Sequence, residues 1–248
     1  MKRIIPFLLL ALGLISPSFA QDAKEIVKKA DERAKGETSI ATITVQTVRP
    51  TWTREMSIKS WTKGNDLMLI LVTAPAKEKG VVFLKKKKEV WNWIPSIERT
   101  IKMPPSMMSQ SWMGTDFTND DLVKEASVLE DYDHSILGDT LIEERSCYKI
   151  QLLPKPAAAV VWGKVIMCID KKDFLMLHVT YFDEDGALVN QMHCSDVKML
   201  GGRLLPAKME MVPVDKKGNK TILIYKSILF DTPIAETFFS TQNMTKVK

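Results

Sequence analysis

The stretch that decides the fold is Phe174–Met199, FLMLHVTYFDEDGALVNQMHCSDVKM, in which a polar break at Asp183–Gly186 separates two β-prone segments. Such a break is too short for a parallel crossover, so the two segments are predicted to pair as an antiparallel hairpin. A strand with one wet face alternates apolar and polar residues, but Phe174–Phe182 carries apolar side chains on both faces. The sheet that contains it is therefore predicted to be covered on both sides.

The same pattern extends along most of the chain. One amphipathic helix is predicted at Asp22–Lys35, and Gly36 is placed to end it. Short polar breaks separate the segments that follow, which predicts an antiparallel meander in a single domain over residues 21–248. The predicted strands are Thr38–Val48, Trp52–Lys63, Leu67–Thr73, Val81–Leu84, Val90–Ile94, Arg99–Met103, Tyr132–Leu141, Cys147–Leu153, Val160–Ile169, Phe174–Phe182, Ala187–Met199, Arg203–Val212 and Thr221–Phe230.

The N-terminus predicts export. Lys2 and Arg3 precede the apolar run Ile4–Ile15, and Ser18–Ala20 supplies small residues for a signal peptidase, so residues 1–20 are predicted to be a signal peptide. We expect the mature chain, from Gln21, in the periplasm of a Gram-negative envelope. No Cys lies at the cleavage point, so lipidation there is not expected.

Large apolar residues crowd into Ala74–Leu122, where prolines prevent one regular helix. We expect this block to line or cover an apolar pocket. A two-sheet sandwich with an ordinary Met and Trp core also fits the composition. The predicted pocket residues are Trp93, Met103, Met107, Met108, Trp112, Met113 and Phe117.

The block also carries a family resemblance. The order W-x-W-x-P at Trp91–Pro95, basic residues before Pro104-Pro105, and SWMGTDFTNDDL at Ser111–Leu122 resembles the periplasmic outer-membrane lipoprotein-sorting proteins related to LolA. This resemblance implies a mainly β fold with a few helices, in which a single curved antiparallel sheet forms an unclosed β-barrel and helices fill its mouth. It also implies an apolar cavity for the acyl chains of lipoproteins or other lipids.

The function predicted from this resemblance is a non-enzymatic periplasmic carrier. Some LolA-like proteins act with inner-membrane transporters of the RND type, and an outer-membrane acceptor is the second expected partner. Others act as envelope-stress sensors, so a lipid- or lipoprotein-sensing interaction module is the alternative. Arg99 is predicted to meet a lipid phosphate or ester, with a plain surface arginine as the equal alternative. The run Lys85–Lys88 is interpreted as a solvated hairpin turn, and contact with anionic headgroups is the weaker alternative.

Other chemistry has little support in the sequence. The formal charge is +5, or +3 without Lys2 and Arg3, which is too mild to indicate nucleic acid as a partner. No nucleophile motif, cofactor site or strong metal site is predicted. His178 and His193 are predicted to lie diagonally across their hairpin, which is at most a weak metal site. The acidic residues of the block are interpreted as helix N-terminal carboxylates rather than calcium ligands, with Thr118 or Asn119 as the cap.

The chain has three cysteines. If the loop after Leu153 is centred between Ala157 and Ala158, Cys147 faces Cys168. We therefore predict a Cys147–Cys168 disulfide in the exported protein and a buried free thiol at Cys194. The alternative is that all three are small core residues.

Overall fold

The structure is a computed structural model that describes residues 22–123, 127–156 and 158–247. The predicted signal peptide lies outside these residues. The helices are α1 (Ala23–Lys35), α2 (Asn119–Val123), α3 (Ser127–Glu130) and α4 (Thr241–Met244). The strands are β1 (Thr38–Arg49), β2 (Trp52–Lys63), β3 (Leu67–Ala74), β4 (Val82–Lys86), β5 (Glu89–Ile94), β6 (Arg99–Lys102), β7 (Tyr132–Ile142), β8 (Arg145–Pro154), β9 (Lys164–Asp170), β10 (Met176–Phe182), β11 (Leu188–Leu200), β12 (Arg203–Pro213) and β13 (Lys220–Phe230).

All thirteen strands belong to one antiparallel sheet, with the order β6-β5-β4-β3-β2-β1-β13-β12-β11-β10-β9-β8-β7. The first strand pairs with the last, so β1 and β13 are neighbours in the middle of the sheet. Strands β6 and β7 follow one another along the chain but form its opposite edges. The predicted single, curved, unclosed sheet is confirmed. The residues of the apolar block that follow β6 begin the segment that leads from one edge to the other.

Helix α1 packs on the concave face of this sheet. Asp22 caps its first turn by accepting a hydrogen bond from the backbone N–H of Lys24, and Gly36 ends it with a φ of 65°. Ile26 and Val27 are buried against the sheet. The predicted helix is confirmed, and it brings a second apolar surface over the inner faces of the strands.

The convex face of the sheet has its own apolar cluster. Trp61, Leu69 and Leu84 point outward from β2, β3 and β4 and are covered by Phe239 and Met244 of the C-terminal segment. Phe239 is completely buried. This explains why strands with two apolar faces are stable here, because the C-terminal segment supplies the outer cover.

The predicted cysteine register is wrong. Cys147 pairs with Asp170 and Cys168 pairs with Lys149, so the two cysteines are diagonal neighbours on the outer face. Such neighbours are roughly 7–8 Å apart at Cα, which exceeds the reach of a disulfide. All three cysteines are free and buried, and the predicted bridge is absent from the structure. Cys194 belongs to the inner core rather than to the face shared by the other two.

Candidate functional site

An apolar cavity of about 230 Å³ lies between α1 and the concave face of the sheet. Val27, Ala30 and Ala34 line it from the helix, while Ile43 and Ile58 line it from β1 and β2. Small side chains on the helix leave a space that the sheet does not fill. The chain thus folds around an internal apolar volume rather than around a fully packed core.

Methionines form a large part of the cavity wall. Five of them line it, each from a different strand of the sheet, and their flexible thioethers can adapt to ligands of varied shape. None of the five was among the predicted site residues, although the two-sided apolar pattern of their strands was a signal for them. They are Met68, Met167, Met176, Met192 and Met209.

The predicted apolar block contributes mainly to the core beneath this cavity. Phe117 lies on the cavity wall. Met103, Met108 and Trp112 are buried in the inner core, where the Trp112 ring lies 5.7 Å from the Phe83 ring between centroids. Met107 and Met113 are partly buried against the same core.

The structure does not bring Trp93 and Arg99 to the cavity. Trp93 packs against the outer-face cluster, and Arg99 is exposed on the edge strand β6. Strand alternation explains the position of Trp93, because inward and outward side chains alternate along β5. Arg99 lies one strand farther out, at the edge of the sheet. A direct role of these two residues in ligand contact stays a prediction without support from their position.

The block is fixed to the sheet by arginine side chains from β1 and β2. Arg49 donates to the Asp116 carboxylate at 2.9 Å and to the Gly114 carbonyl at 3.1 Å. Arg54 donates to the Met113 carbonyl. The Thr221 hydroxyl also donates to Asp116, at 2.7 Å. These contacts hold Phe117 in place at the cavity wall.

Thr118 and Asp121 form a reciprocal cap at the start of α2. The Thr118 hydroxyl accepts from the backbone N–H of Asp121 at 3.0 Å, and the Asp121 carboxylate accepts from the backbone N–H of Thr118 at 2.8 Å. Trp162 also donates to Asp121, at 2.7 Å. The predicted capping role is confirmed for Thr118 and Asp121, whereas Asp116 serves as an ion-pair partner.

Polar groups interrupt the cavity wall at two places. At one end, burial raises the pKa of Asp121 to about 6, because desolvation outweighs its hydrogen bonds. Burial and the nearby Asp120 and Asp121 charges also raise the pKa of Tyr132. At the other end, Asp31 and Lys35 of α1 form an ion pair of 2.5 Å. An apolar ligand in this cavity would have a polar region at each end.

Two surface features differ from their predictions. Lys85 is buried in β4 and donates to the Asn65 carbonyl at 2.6 Å, whereas the next three lysines are exposed at the hairpin turn. His178 and His193 are directly opposite each other, with 3.1 Å between their Nδ1 atoms, rather than diagonal. Within the described residues, no group of three or more His, Cys, Asp or Glu side chains is placed to hold a metal ion.

The described helices also include none with the length and apolar character needed to cross a membrane.

Comparison with known proteins finds solved structures with the same fold. A domain described as an outer membrane lipoprotein-sorting protein domain from Vibrio parahaemolyticus superposes with a TM-score of 0.80 at 20% identity, covering 90% of this chain and 98% of that one. A LolA superfamily protein from Nitrosomonas europaea gives 0.78 at 22% identity, covering 90% and 100%. A DUF1329 family protein from Desulfovibrio piger gives 0.82 at 18% identity, covering 90% and 97%.

Among curated protein sequences, none matches the chain significantly. A family model with the description "Uncharacterized protein" matches residues 64–246, about three quarters of the chain. The chain therefore belongs to that family, and its fold is that of the LolA-like outer-membrane lipoprotein-sorting domains.

Proposed function

We propose that this protein is a non-enzymatic carrier that binds an acyl chain of a lipid or lipoprotein in the cavity under α1. The observation that carries the proposal is the cavity itself, which is bounded by aliphatic side chains and five methionines. A pocket of this kind suits a flexible hydrocarbon chain, since burial of apolar surface supplies roughly 25 cal/mol per Å². The LolA-like fold supports the same role.

The size of the cavity supports one acyl chain as the occupant. Its volume of about 230 Å³ is slightly below the ~300–1,000 Å³ typical of pockets for drug-sized ligands. A lipid with several chains would need the cavity to widen. Because α1 forms one wall, outward movement of this helix is the simplest way to admit a larger cargo.

The experiment that tests the carrier role fills the cavity from within. Ala41 is buried on β1 and lines the cavity, so Ala41→Phe places a phenyl ring in the space proposed for the ligand. We expect uptake of a fluorescent fatty acid to fall at least tenfold while the protein stays folded. Leu229→Phe, at a position that is 59% exposed on β13, is the control and should bind as the parent does. Equal uptake by Ala41→Phe and the parent would contradict the proposal.

The cellular setting is part of the same proposal. A carrier of this kind would act in the periplasm, after removal of residues 1–20, between an inner-membrane donor such as an RND-type transporter and an outer-membrane acceptor. Mass spectrometry of the protein purified from the periplasm under native conditions would give the mature N-terminus and any retained lipid together. A chain that begins at Gln21 and carries a lipid is the expected result.

A further inference from the structure

The inner face of the β1–β2 hairpin changes from apolar to polar along its length. Paired residues that point inward are Ile43 with Ile58, then Ala41 with Ser60, then Ser39 with Thr62. All of them line the cavity. The Ser39 and Thr62 hydroxyls are buried and lie 2.6 Å apart. The cavity therefore has an apolar interior and a hydroxyl-bearing end.

A polar groove continues from this hydroxyl-bearing end. It is lined by Gly36 and Glu37, which precede β1, and by Gly64 and Asn65, which follow β2. Asp31 and Lys35 of α1 line both the cavity and the groove. The α1 ion pair is thus the boundary between an apolar compartment and a polar one.

The groove carries charges of both signs. Three cationic side chains and four acidic ones line it, for a formal net charge of −1. Lys28 lies 3.8 Å from Glu32, and Arg203 lies 2.7 Å from Asp231. A purely anionic head group would be repelled by this net negative charge. A zwitterionic head group can form ion pairs with groove residues of both signs and leaves the net charge of the groove unchanged.

We propose that the cargo is an amphiphile with a zwitterionic head group, held with its tail in the cavity and its head in the groove beside the last turn of α1. This inference rests on the proposed carrier function and specifies the cargo and its orientation. Lys28 and Glu37 are both exposed at the groove rim, where they can reach the two charges of a head group.

The experiment compares three amphiphiles that share a myristoyl tail and differ only in the head. They are monomyristoylglycerol, the corresponding lysophosphatidic acid and the corresponding lysophosphatidylethanolamine, each below its micelle concentration and measured by calorimetry. We expect lysophosphatidylethanolamine, the zwitterionic lipid, to bind most tightly. Lysophosphatidic acid, the anionic lipid, should bind more weakly. The advantage of the zwitterion should shrink as salt is added, because the rim charges are exposed.

The double variant Lys28→Gln with Glu37→Gln tests the groove itself. Its affinity for lysophosphatidylethanolamine should fall roughly twofold to thirtyfold, because two exposed charge pairs are lost and each is worth about 1.4-fold to 5-fold. Its affinity for monomyristoylglycerol should not change. Lys198→Gln with Asp196→Asn removes an exposed ion pair on β11 and is the matched control.

The possible failures can be told apart. Equal binding of all three lipids, or an unchanged preference in the groove variant, would overturn the head-group assignment and leave the carrier role standing. If none of the three lipids binds, both proposals fail.

Discussion

Asp121 is a carboxylic acid in a largely apolar wall, and its environment couples stability to pH. Its pKa is raised from 3.8 to about 6, so the folded state retains the proton over a range where the unfolded chain has lost it. The contribution of Asp121 to stability is therefore greatest below pH 4 and is lost as the pH rises through about 6. Above pH 6 the free energy of unfolding is therefore lower by up to about 3 kcal/mol.

We accordingly expect Asp121→Asn to lose less stability than the parent as the pH rises. The amide keeps one acceptor oxygen for the cap or for Trp162 but cannot ionise. Urea unfolding at pH 5 and pH 7.5 should show a smaller fall in the unfolding free energy for the variant. Asp133→Asn, at an exposed position on β7, is the control. An identical pH dependence in Asp121→Asn and the parent would disprove the ionisation cost.

Trp112 is a large core residue that fills space in the protein interior rather than contacting the ligand cavity. It is completely buried against Phe83 and does not line the cavity. Trp112→Ala should lower the unfolding free energy by about 3–5 kcal/mol. Trp112→Phe should cost much less, because the ring Nε1 finds no hydrogen-bond acceptor among the described residues and its removal is favourable.

Denaturant unfolding of both variants, with fatty-acid binding measured under folding conditions, tests this assignment. We expect lower stability without a matching loss of affinity. If Trp112→Phe lost binding but kept its stability, Trp112 would belong to the ligand site after all.

For single residues, the sequence predicts well which side chains are buried but poorly which of them line the cavity. Met103, Met108 and Trp112 were predicted to lie around a pocket, and they are core residues. Apolar character determines that a side chain leaves water. It does not determine which space stays empty, since that depends on how far the small side chains of α1 stand from the sheet.

Among the elements, the C-terminal segment is short but covers part of the convex face of the sheet. Phe239 and Met244 are almost completely buried on the convex face, where they cover Trp61 and Leu84. Nothing in the sequence pattern indicated this, because α4 has only one turn and shows no helical periodicity. The residues that indicated a missing cover were instead the outward-facing apolar residues of β2, β3 and β4.

We predict that Phe239→Ala lowers the unfolding free energy by about 3–5 kcal/mol, which is typical for a buried phenylalanine. It should also expose the outer cluster and so increase the binding of a hydrophobic dye. Glu236→Ala, at an exposed position in the same segment, should change neither quantity. Equal stabilities of these two variants would show that the segment is not a structural cover.

The positions of the strands were predictable, because polar turns separate them. The residue-by-residue register of the hairpins was not. The β8–β9 hairpin pairs Leu152 with Val165, so its centre lies one residue later than predicted. The β10–β11 hairpin is also shifted by one residue and has an irregularity beside Phe182. The pairing of β10 with β9 has another beside Met176. A one-residue shift of the centre moves every pairing by two residues, which separates Cys147 from Cys168 and brings His178 opposite His193.

For the whole molecule, the central question is how a ligand enters the cavity. The sheet is held by continuous strand pairing from β6 to β7, so its opening would break many hydrogen bonds. Helix α1 is held differently. Its first half buries Ala23, Ile26 and Val27, whereas Ala30 and Ala34 of its second half face the cavity. The second half of α1 therefore has more unfilled space behind it than the first half has.

This asymmetry predicts where a ligand will change local stability. Amide hydrogen exchange within 30–35 should be faster than in the centre of β2 or β8 without ligand, because local opening follows low packing. Bound lysophosphatidylethanolamine should slow exchange in this half of α1, since it fills the cavity and contacts the last turn. The centres of β2 and β8 should change by no more than the global increase in stability, about 2.7 kcal/mol at a ligand concentration 100-fold above Kd. Ala41→Phe, which fills the cavity without ligand, should produce the same local protection. Uniform protection of the helix and sheet on binding would instead locate the entrance away from α1.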